Sequence, residues 1–464
     1  MQHFKICLTS FMLIFLSSCS FNITDGPDMP VQEDPAQKKI TELLGKHYPT
    51  FEQSYFPQED ITTLYTQNFS LKRIEKNLEI SRNNYRLSYG ALWPALTGTI
   101  ESTRNRGGFI FPPNEFTSYS VGAALSFDID PFGRLSALRD QAKENVFAAY
   151  YDSEALRLTL DNNFIKAFHQ LIYAQKTVDI ALENERIAER NLQITELRYQ
   201  YGRVSLSDIL SSKQNLENVR TNTETFKQSL ITAKDAYATL LGQRMSELNM
   251  KDYDFPALPD YVHATSLPIG FLDQRPDIMA ANARLEAAFA NIDASFAALF
   301  PALAVSFSVD NIAQQFSDML GKENYARALT GSLTQALFDG GQNRANLELS
   351  EAEADIAEID YREAAIEAIN GLFTAHQSLL QAEKILVSAE RNLHAARDNL
   401  ENAKLNYLAG RLELDRFLDI QTRSLDAEIT YLTARRDIGD RYADLLLEMG
   451  RYSIGAATQE NGQA

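Results

Sequence analysis

The side chains able to do chemistry are few and badly placed for catalysis. Six histidines, at positions 3, 47, 169, 263, 376 and 394, form no His-Glu-x-x-His pair and no Cys-His cluster, and no Gly-x-Ser-x-Gly elbow presents a serine. Gly107-Gly108 and Gly340-Gly341 lack the lysine of a phosphate loop. Carboxylates are abundant, but on the heptad pattern described below they fall at b, c, e, f or g positions, where a solvated face is expected. No enzyme activity and no cofactor are expected. The two cysteines, Cys7 and Cys19, both lie near the N-terminus, so the body of the chain holds neither a disulfide framework nor a cysteine metal site. A net charge of −18 argues against nucleic-acid binding, which needs a basic face.

Cys19 is the one residue whose surroundings point to a reaction. Lys5 supplies a positive start, Ile6 to Leu16 form a mostly apolar run too short to span a bilayer, and Leu16-Ser17-Ser18-Cys19 follows. This stretch resembles the processing box of bacterial lipoprotein precursors. The resemblance implies that the Cys19 thiol accepts a diacylglyceryl group and becomes the first residue of the mature chain. Ser20, where lipoproteins retained at the inner membrane commonly carry Asp, implies the outer membrane. Several acyl chains exceed the two signals that stable anchoring requires. Ser20 to Pro35, with three prolines, reads as an extended tether.

The elements behind this anchor are duplicated. Trp93-Pro94-Ala95-Leu96 returns as Phe300-Pro301-Ala302-Leu303, Gly133 as Gly341, and Tyr199-x-x-Gly202-Arg203 as Tyr407-x-x-Gly410-Arg411, at offsets of 207, 208 and 208. Unrelated local patterns at one spacing indicate a tandem duplication of a unit far longer than a solenoid repeat. The chain divides into a signal peptide (1–18), an anchor and tether (19–58), a first repeat (59–242), a linker (243–271), a second repeat (272–450) and a tail (451–464).

In the second repeat Leu372, Leu379, Leu386, Leu393, Leu400 and Tyr407 recur every seventh residue, with Ala375, Ala382, Ala389, Ala396 and Ala403 three residues on. The first repeat echoes this with Phe164, Leu171, Val178, Leu192 and Tyr199 and with Ala167, Ala174, Ala181 and Ala188, interrupted at Glu185. A Leu/Ala seam of period seven predicts left-handed coiled-coil packing with closely spaced axes. The segments from Arg134 to Tyr199 and from Gln342 to Tyr407 contain no proline and only Gly371, so each predicts a rod of about 100 Å. A helix returns from each, over Leu206 to Leu241 and Leu414 to Met449.

The periodicity then drops to two. Val121, Ala123, Leu125, Phe127 and Ile129 alternate with small and polar residues, as do Leu303, Val305, Phe307 and Val309. With Leu96 to Phe109 and Leu329 to Phe338 they predict two hairpins of membrane-crossing strands. Four strands cannot close a barrel, and an open edge in lipid leaves backbone groups unsatisfied, so several chains must pool their strands. Two copies give eight strands, whose interior side chains fill; three give twelve, a pore.

Taken together, these residues resemble the TolC-type outer-membrane efflux proteins, in the lipid-anchored branch serving resistance-nodulation-division pumps. Leu267-Pro268-x-x-Phe271-Leu272-x-x-Arg275-Pro276-Asp277-Ile278 is similar to that branch's inter-repeat signature. Asp130-Pro131-Phe132-Gly133-Arg134 and Phe338-Asp339-Gly340-Gly341 resemble its strand-to-helix junctions. The chain departs at Gln274, where another Arg is expected, and at Pro131, where an apolar residue is. The resemblance implies a mixed α-helical barrel and transmembrane β-barrel, a homotrimer whose twelve-stranded pore stands on a helical cylinder. It also implies a periplasmic adapter and an inner-membrane pump as partners. Gly202-Arg203-Val204 and Gly410-Arg411-Leu412 become the tips where the adapter docks. Asp419 matches the position lining the periplasmic constriction, and Asp415 lies one turn before it on the same face. Arg416 is expected to meet Asp208 of a neighbouring hairpin and close the passage. A type I protein-secretion duct of the same fold and a structural coiled-coil lipoprotein remain as alternatives. The lipoprotein box and the Arg-Pro-Asp-Ile signature weigh against the first, the amphipathic strands against the second.

Overall fold

Both long rods begin at a glycine that has no substitute. In the computed structural model Gly133 and Gly341 sit at φ 78° and 86°, the left-handed region that side chains with a Cβ avoid, and each hands a strand over to a helix. Asp130 then accepts hydrogen bonds from the amides of Leu135 (3.1 Å) and Ser136 (2.8 Å), and Asp339 from those of Gly341 and Asn343 (2.9 Å each). These are the donors that a helix start leaves unmet.

The structure describes residues 56–106, 115–248, 251–256, 275–319, 321 and 325–450. Cys19, with the rest of 1–55, lies outside the described residues, as does the Leu267 to Gln274 part of the inter-repeat signature. Helices α1 (Gln58–Gln67) and α2 (Phe69–Gly90) lead to strands β1 (Ala95–Arg106) and β2 (Glu115–Ile129), then to the rod α3 (Arg134–Gln200) and its return α4 (Leu206–Leu241). The second unit repeats the order with α5 (Pro276–Ala297), β3 (Ala302–Ala313), β4 (Tyr325–Thr334), α6 (Gln342–Leu408) and α7 (Leu414–Glu448). The two rods are each 67 residues long and α2 and α5 each 22, so the duplication read from the sequence is also a duplication of elements.

The four strands form one antiparallel sheet in the order β1-β2-β3-β4, so the central β2–β3 pairing joins the two units and β1 and β4 are edges. Leu96, Leu125, Phe307 and Leu329 stand opposite one another across all four strands, an apolar row on one face. One position along, Thr97, Ala124, Ser308 and Ala328 form a small, partly polar row on the other. Gly122 faces Asp310 on this second side, and a Cβ there would lie 2.1 Å from the carboxylate, so glycine makes room for a charge on the polar face. The strand expected over Leu329 to Phe338 runs instead from Tyr325 to Thr334. Its partner β3 starts at Ala302, directly after Pro301, which has no N–H to extend the ladder, and pairing ends at Ala302–Thr334.

Helix α3 packs against α2, α4, α5 and α7, while α6 packs against α5 and α7. The seam of α6 is buried at both ends, from Leu372 to Ala382 and at Ala403 and Tyr407, with Leu386, Ala396 and Leu400 half-buried between. That of α3 holds only as far as Ala188. Leu192 is half-buried, Tyr199 is exposed, and Asn191 and Thr195 take the interior. The assignment of Tyr199 to the seam is thereby corrected, because a polar residue of α7 enters at this level, as described below. The expectation that carboxylates occupy solvated faces also fails, at Asp161 and Asp440. Both are drawn inward by partners: Tyr65 donates to Asp161, and His169 lies against Asp440.

The linker signature acts as a fastener between helix ends. Pro276 occupies the first turn of α5, where its missing N–H costs nothing. Arg275, just before it, donates to Asp277 (3.0 and 2.8 Å), to the Glu448 carboxylate (2.9 Å) and to the Glu448 carbonyl at the end of α7. Gly371, the one glycine inside either rod, leaves space for that Glu448 carboxylate, which would lie 2.5 Å from a Cβ.

Candidate functional site

Each rod reverses direction at a glycine in the left-handed region. At the first tip the Gly202 amide donates to the Tyr199 carbonyl (2.8 Å) and the Arg203 amide to that of Arg198 (2.9 Å); at the second, Gly410 donates to Tyr407 (3.1 Å) and Arg411 to Asn406 (2.8 Å). These paired bonds at φ 68° and 72° are Schellman closures, which stop a helix within one residue and swing the chain outward. Arg203, Val204, Arg411 and Leu412 follow the glycines, and at each tip the arginine is exposed.

The returning helices start differently. At α4 the Ser205 hydroxyl accepts from the Asp208 amide (3.3 Å), while Oδ2 of Asp208 accepts from the Ser205 amide (2.7 Å) and hydroxyl (2.8 Å), a capping box. At α7 the N-cap is Glu413, whose side chain makes no capping bond, and Arg416 stands where Asp208 stands in the first unit. Arg416 Nη1 donates to Asp419 Oδ2 (2.9 Å), and Arg423 Nε donates to Asp419 Oδ1 (3.0 Å). Within one chain, then, Asp419 is flanked by two guanidinium groups one turn to either side, Asp415 is exposed, and Asp208 serves its own helix start.

Three features at this end escaped the sequence reading. The Tyr407 and Phe417 rings stack at 4.8 Å and 7°, sealing the second tip, and Arg198 of α3 lies over the Tyr407 ring (4.4 Å) while donating to its carbonyl (3.2 Å). Deeper in, Asn191 Nδ2 donates to Gln421 Oε1 (3.1 Å) and Gln421 Nε2 to Asn184 Oδ1 (2.8 Å), with Asn191 and Gln421 both buried. This clamp is what displaces the apolar seam of α3. The only signal for it was the polar run of Asn184, Asn191 and Thr195 along a helix face that should have been apolar.

At the other end, among the described residues, β1 and β4 have no strand beyond them, and α6 exposes Leu349, Ile356, Ile359, Ile366, Ile369 and Phe373 along one stripe. Among the described residues no helix is long and apolar enough to cross a membrane, and no group of three or more His, Cys, Asp or Glu side chains could hold a metal ion. Exposed Trp93, Phe132 and Phe300, the last two stacked at 4.8 Å, cluster where the strands meet the helices, as aromatic residues do at a membrane boundary.

The sequence profile of the family described as "Outer membrane efflux protein" matches the chain twice, over residues 61–243 and 268–451. The cation efflux system protein CusC of Escherichia coli O6:H1 is 25% identical over 346 residues, 73% of this chain and 74% of that one. The probable outer membrane lipoprotein SilC of Salmonella typhimurium is 23% identical over 369 residues, 78% of this chain and 80% of that one. Among solved structures, the Campylobacter jejuni outer membrane channel CmeC superposes with a TM-score of 0.81 at 18% identity, covering 89% of this chain and 91% of its own. The outer-membrane channel OprN gives 0.78 at 24% identity, over 88% and 95%. A profile matched twice across most of the chain, over a sheet with two open edges and paired helical hairpins, places this protein in the outer membrane efflux protein family, whose members are channels of the cell outer membrane.

Proposed function

We propose that this chain is the passive exit duct of a tripartite efflux system, carrying drugs and other small molecules across the periplasm and outer membrane. It works as a homotrimer fed by a periplasmic adapter and an inner-membrane pump. The observation that carries the reading is the four-stranded sheet with an apolar face and two open edges: in lipid those edges must pair, and three copies give a twelve-stranded pore. The apolar stripe of α6 is the matching open edge of the helical layer. Detergent-purified protein should have the mass of three chains and give discrete conductance steps in a planar bilayer. A monomer, or a trimer that does not conduct, would overturn this reading.

The tips Gly202-Arg203-Val204 and Gly410-Arg411-Leu412 dock the adapter, and Asp415 and Asp419, repeated three times by symmetry, form carboxylate rings at the periplasmic constriction. Arg416 holds Asp419 in the single chain; in the closed trimer it exchanges onto Asp208 of a neighbouring hairpin. A bulky residue at Gly410 should abolish adapter crosslinking while trimers persist; unchanged crosslinking would count against docking there. Lipidation at Cys19 anchors the chain, and labelling with a radioactive fatty acid should mark wild type and not Cys19→Ala.

A further inference from the structure

Helix α7 meets its two neighbours through different chemistry. Toward α6 it presents the apolar residues of a coiled coil. Toward α3 it presents Arg436, Asp440 and Asp444, spaced four apart and so on one stripe. Arg436 donates to Gln170 (3.0 Å) and lies over the Tyr173 ring (4.8 Å). Asn162 donates to Asp444 (3.1 Å), which also pairs with Lys166. Between these contacts, His169 Nδ1 lies 2.8 Å from Asp440 Oδ1, with the imidazole only 1% exposed.

This pair is built rather than incidental. Gly439 lies against the ring, and a Cβ there would come within 2.6 Å of Cε1, so α7 can approach His169 only through glycine. Phe255, in the segment 251–256, contacts the ring as well, at 6.2 Å. The charged groups acting on Asp440 besides His169 are Arg436 on α7 and Lys166 on α3; around them Arg436 pairs with Asp437, and Asp444 with Lys166 and Arg441. Segment 251–256 brings Lys251, Asp252, Tyr253 and Asp254, the last bonded to Lys176 (3.2 Å). From α4, Tyr237 donates to Asp60 of α1 (2.8 Å) and adds no charge. Burial pushes the Asp440 carboxyl above the ordinary carboxylate value, although the His169 bond and the Arg436 and Lys166 charges pull the other way.

We propose that His169 and Asp440 form a proton-operated clasp that fastens α7 to α3 more firmly in acid and so holds the periplasmic tip shut. The sign follows from linkage. A carboxyl that binds its proton more readily in the clasped state than in water stabilises that state when protonated, and this stabilisation is lost as pH rises through the raised value. Asp419 sits on the same helix about 30 Å away, at 1.5 Å per residue, so fastening one end limits the swing of the other. Each unit by which the clasped pKa exceeds the released one is about a tenfold change in the equilibrium.

The inference rests on the gated-channel reading, and the test separates the two. Purified trimers are recorded in planar bilayers at pH 7.5 and pH 4.5, as wild type, Asp440→Asn and Asp419→Asn. Wild-type open probability should fall several-fold on acidification. Asp440→Asn, which mimics the protonated carboxyl, should be less open at pH 7.5 and respond no further. Asp419→Asn should keep the acid response. An Asp440→Asn variant that retains the full wild-type response overturns the clasp. If that variant does not assemble, hydrogen exchange of residues 428–446 in wild-type trimers decides. Protection, corrected for intrinsic rates, should be greater at pH 4.5, and equal protection overturns the proposal. Wild-type trimers that conduct at neither pH would sink the channel reading, and exchange alone would then judge the clasp.

Discussion

The two hairpin tips descend from one duplicated unit, yet they are secured in opposite ways. The first is tied at its turn and lacks an aromatic seal: Ser205 and Asp208 close a capping box, while Tyr199, outside the buried seam, is 44% exposed. The second is tied in its core and loose at its turn. Tyr407, the counterpart of Tyr199, is 4% exposed and stacked on Phe417, whereas Glu413 makes no capping bond and Arg416 has left the helix start for Asp419. A helix whose base is packed and whose first turn is uncapped is able to change its end without coming apart. The structure therefore separates a fixed hairpin, α3–α4, from one with a remodelable tip, α6–α7. That division matches the gate proposed on the second.

The contrast is broken most severely at the aromatic seal. Tyr407→Ala removes a fully packed ring and should cost the second tip about 3–5 kcal/mol of local stability, the range for buried aromatic truncations. Tyr199→Ala should cost about 0.5 kcal/mol or less, as at most surface positions. Hydrogen exchange of 400–420 and 192–212 reads both. Equal losses would mean that the tips are secured alike and the distinction is unfounded.

Next is the clamp that joins the remodelable hairpin to the fixed one. Gln421→Leu leaves the amides of Asn184 and Asn191 facing an apolar side chain. A buried group stripped of its partner costs about 1–3 kcal/mol. Exchange should accelerate in both α3 and α7 around these positions, because the clamp is the shared element. Acceleration confined to α7 would show that α3 does not depend on it.

The cap asymmetry predicts a smaller effect. Ser205→Ala should destabilise the start of α4 by about 1 kcal/mol, while Glu413→Ala should leave the start of α7 unchanged, since only the first side chain accepts a capping bond. Exchange of the first-turn amides distinguishes them. Equal protection losses at the two starts would erase the difference in how they are held.

What could be read from the chain in advance follows physical range. The rods declared themselves through Leu and Ala every seven residues and the near absence of proline and glycine, and α4 begins and ends where the pattern places it, at Leu206 and Leu241. The strands were legible from alternation. The end of β4 was not, because Leu333 and Leu337 continue an apolar pattern beyond the point where β3 can still offer a partner. The turn glycines were legible because φ above zero restricts the choice of residue. The clamp and the clasp were not, since Gln421 and Asn191 are separated by 230 residues and His169 and Asp440 by 271. Single polar residues carry no periodicity, and only the tertiary fold brings such pairs together.

The smallest expected energy lies at the gate itself, and there the comparison becomes a test of function rather than stability. Asp419 holds two exposed ion pairs, to Arg416 and Arg423, each contributing about 1 kcal/mol or less. Neither pair can hold the tip shut alone, which suits a contact that an adapter has to undo. Losing Arg416 leaves Asp419 still paired with Arg423, but it removes the group proposed to reach Asp208 of a neighbouring hairpin. Arg416→Ala should therefore leave thermal stability within experimental error and raise open probability. Asp419→Ala removes one of the proposed rings of carboxylates and should weaken cation selectivity and cation block in a bilayer recording. The fixed hairpin supplies the control. Arg203→Ala, in the turn after α3, should alter neither property. If Arg416→Ala and Asp419→Ala both conduct like wild type, the constriction is held elsewhere, and the uncapped start of α7 is a consequence of divergence with no part in gating.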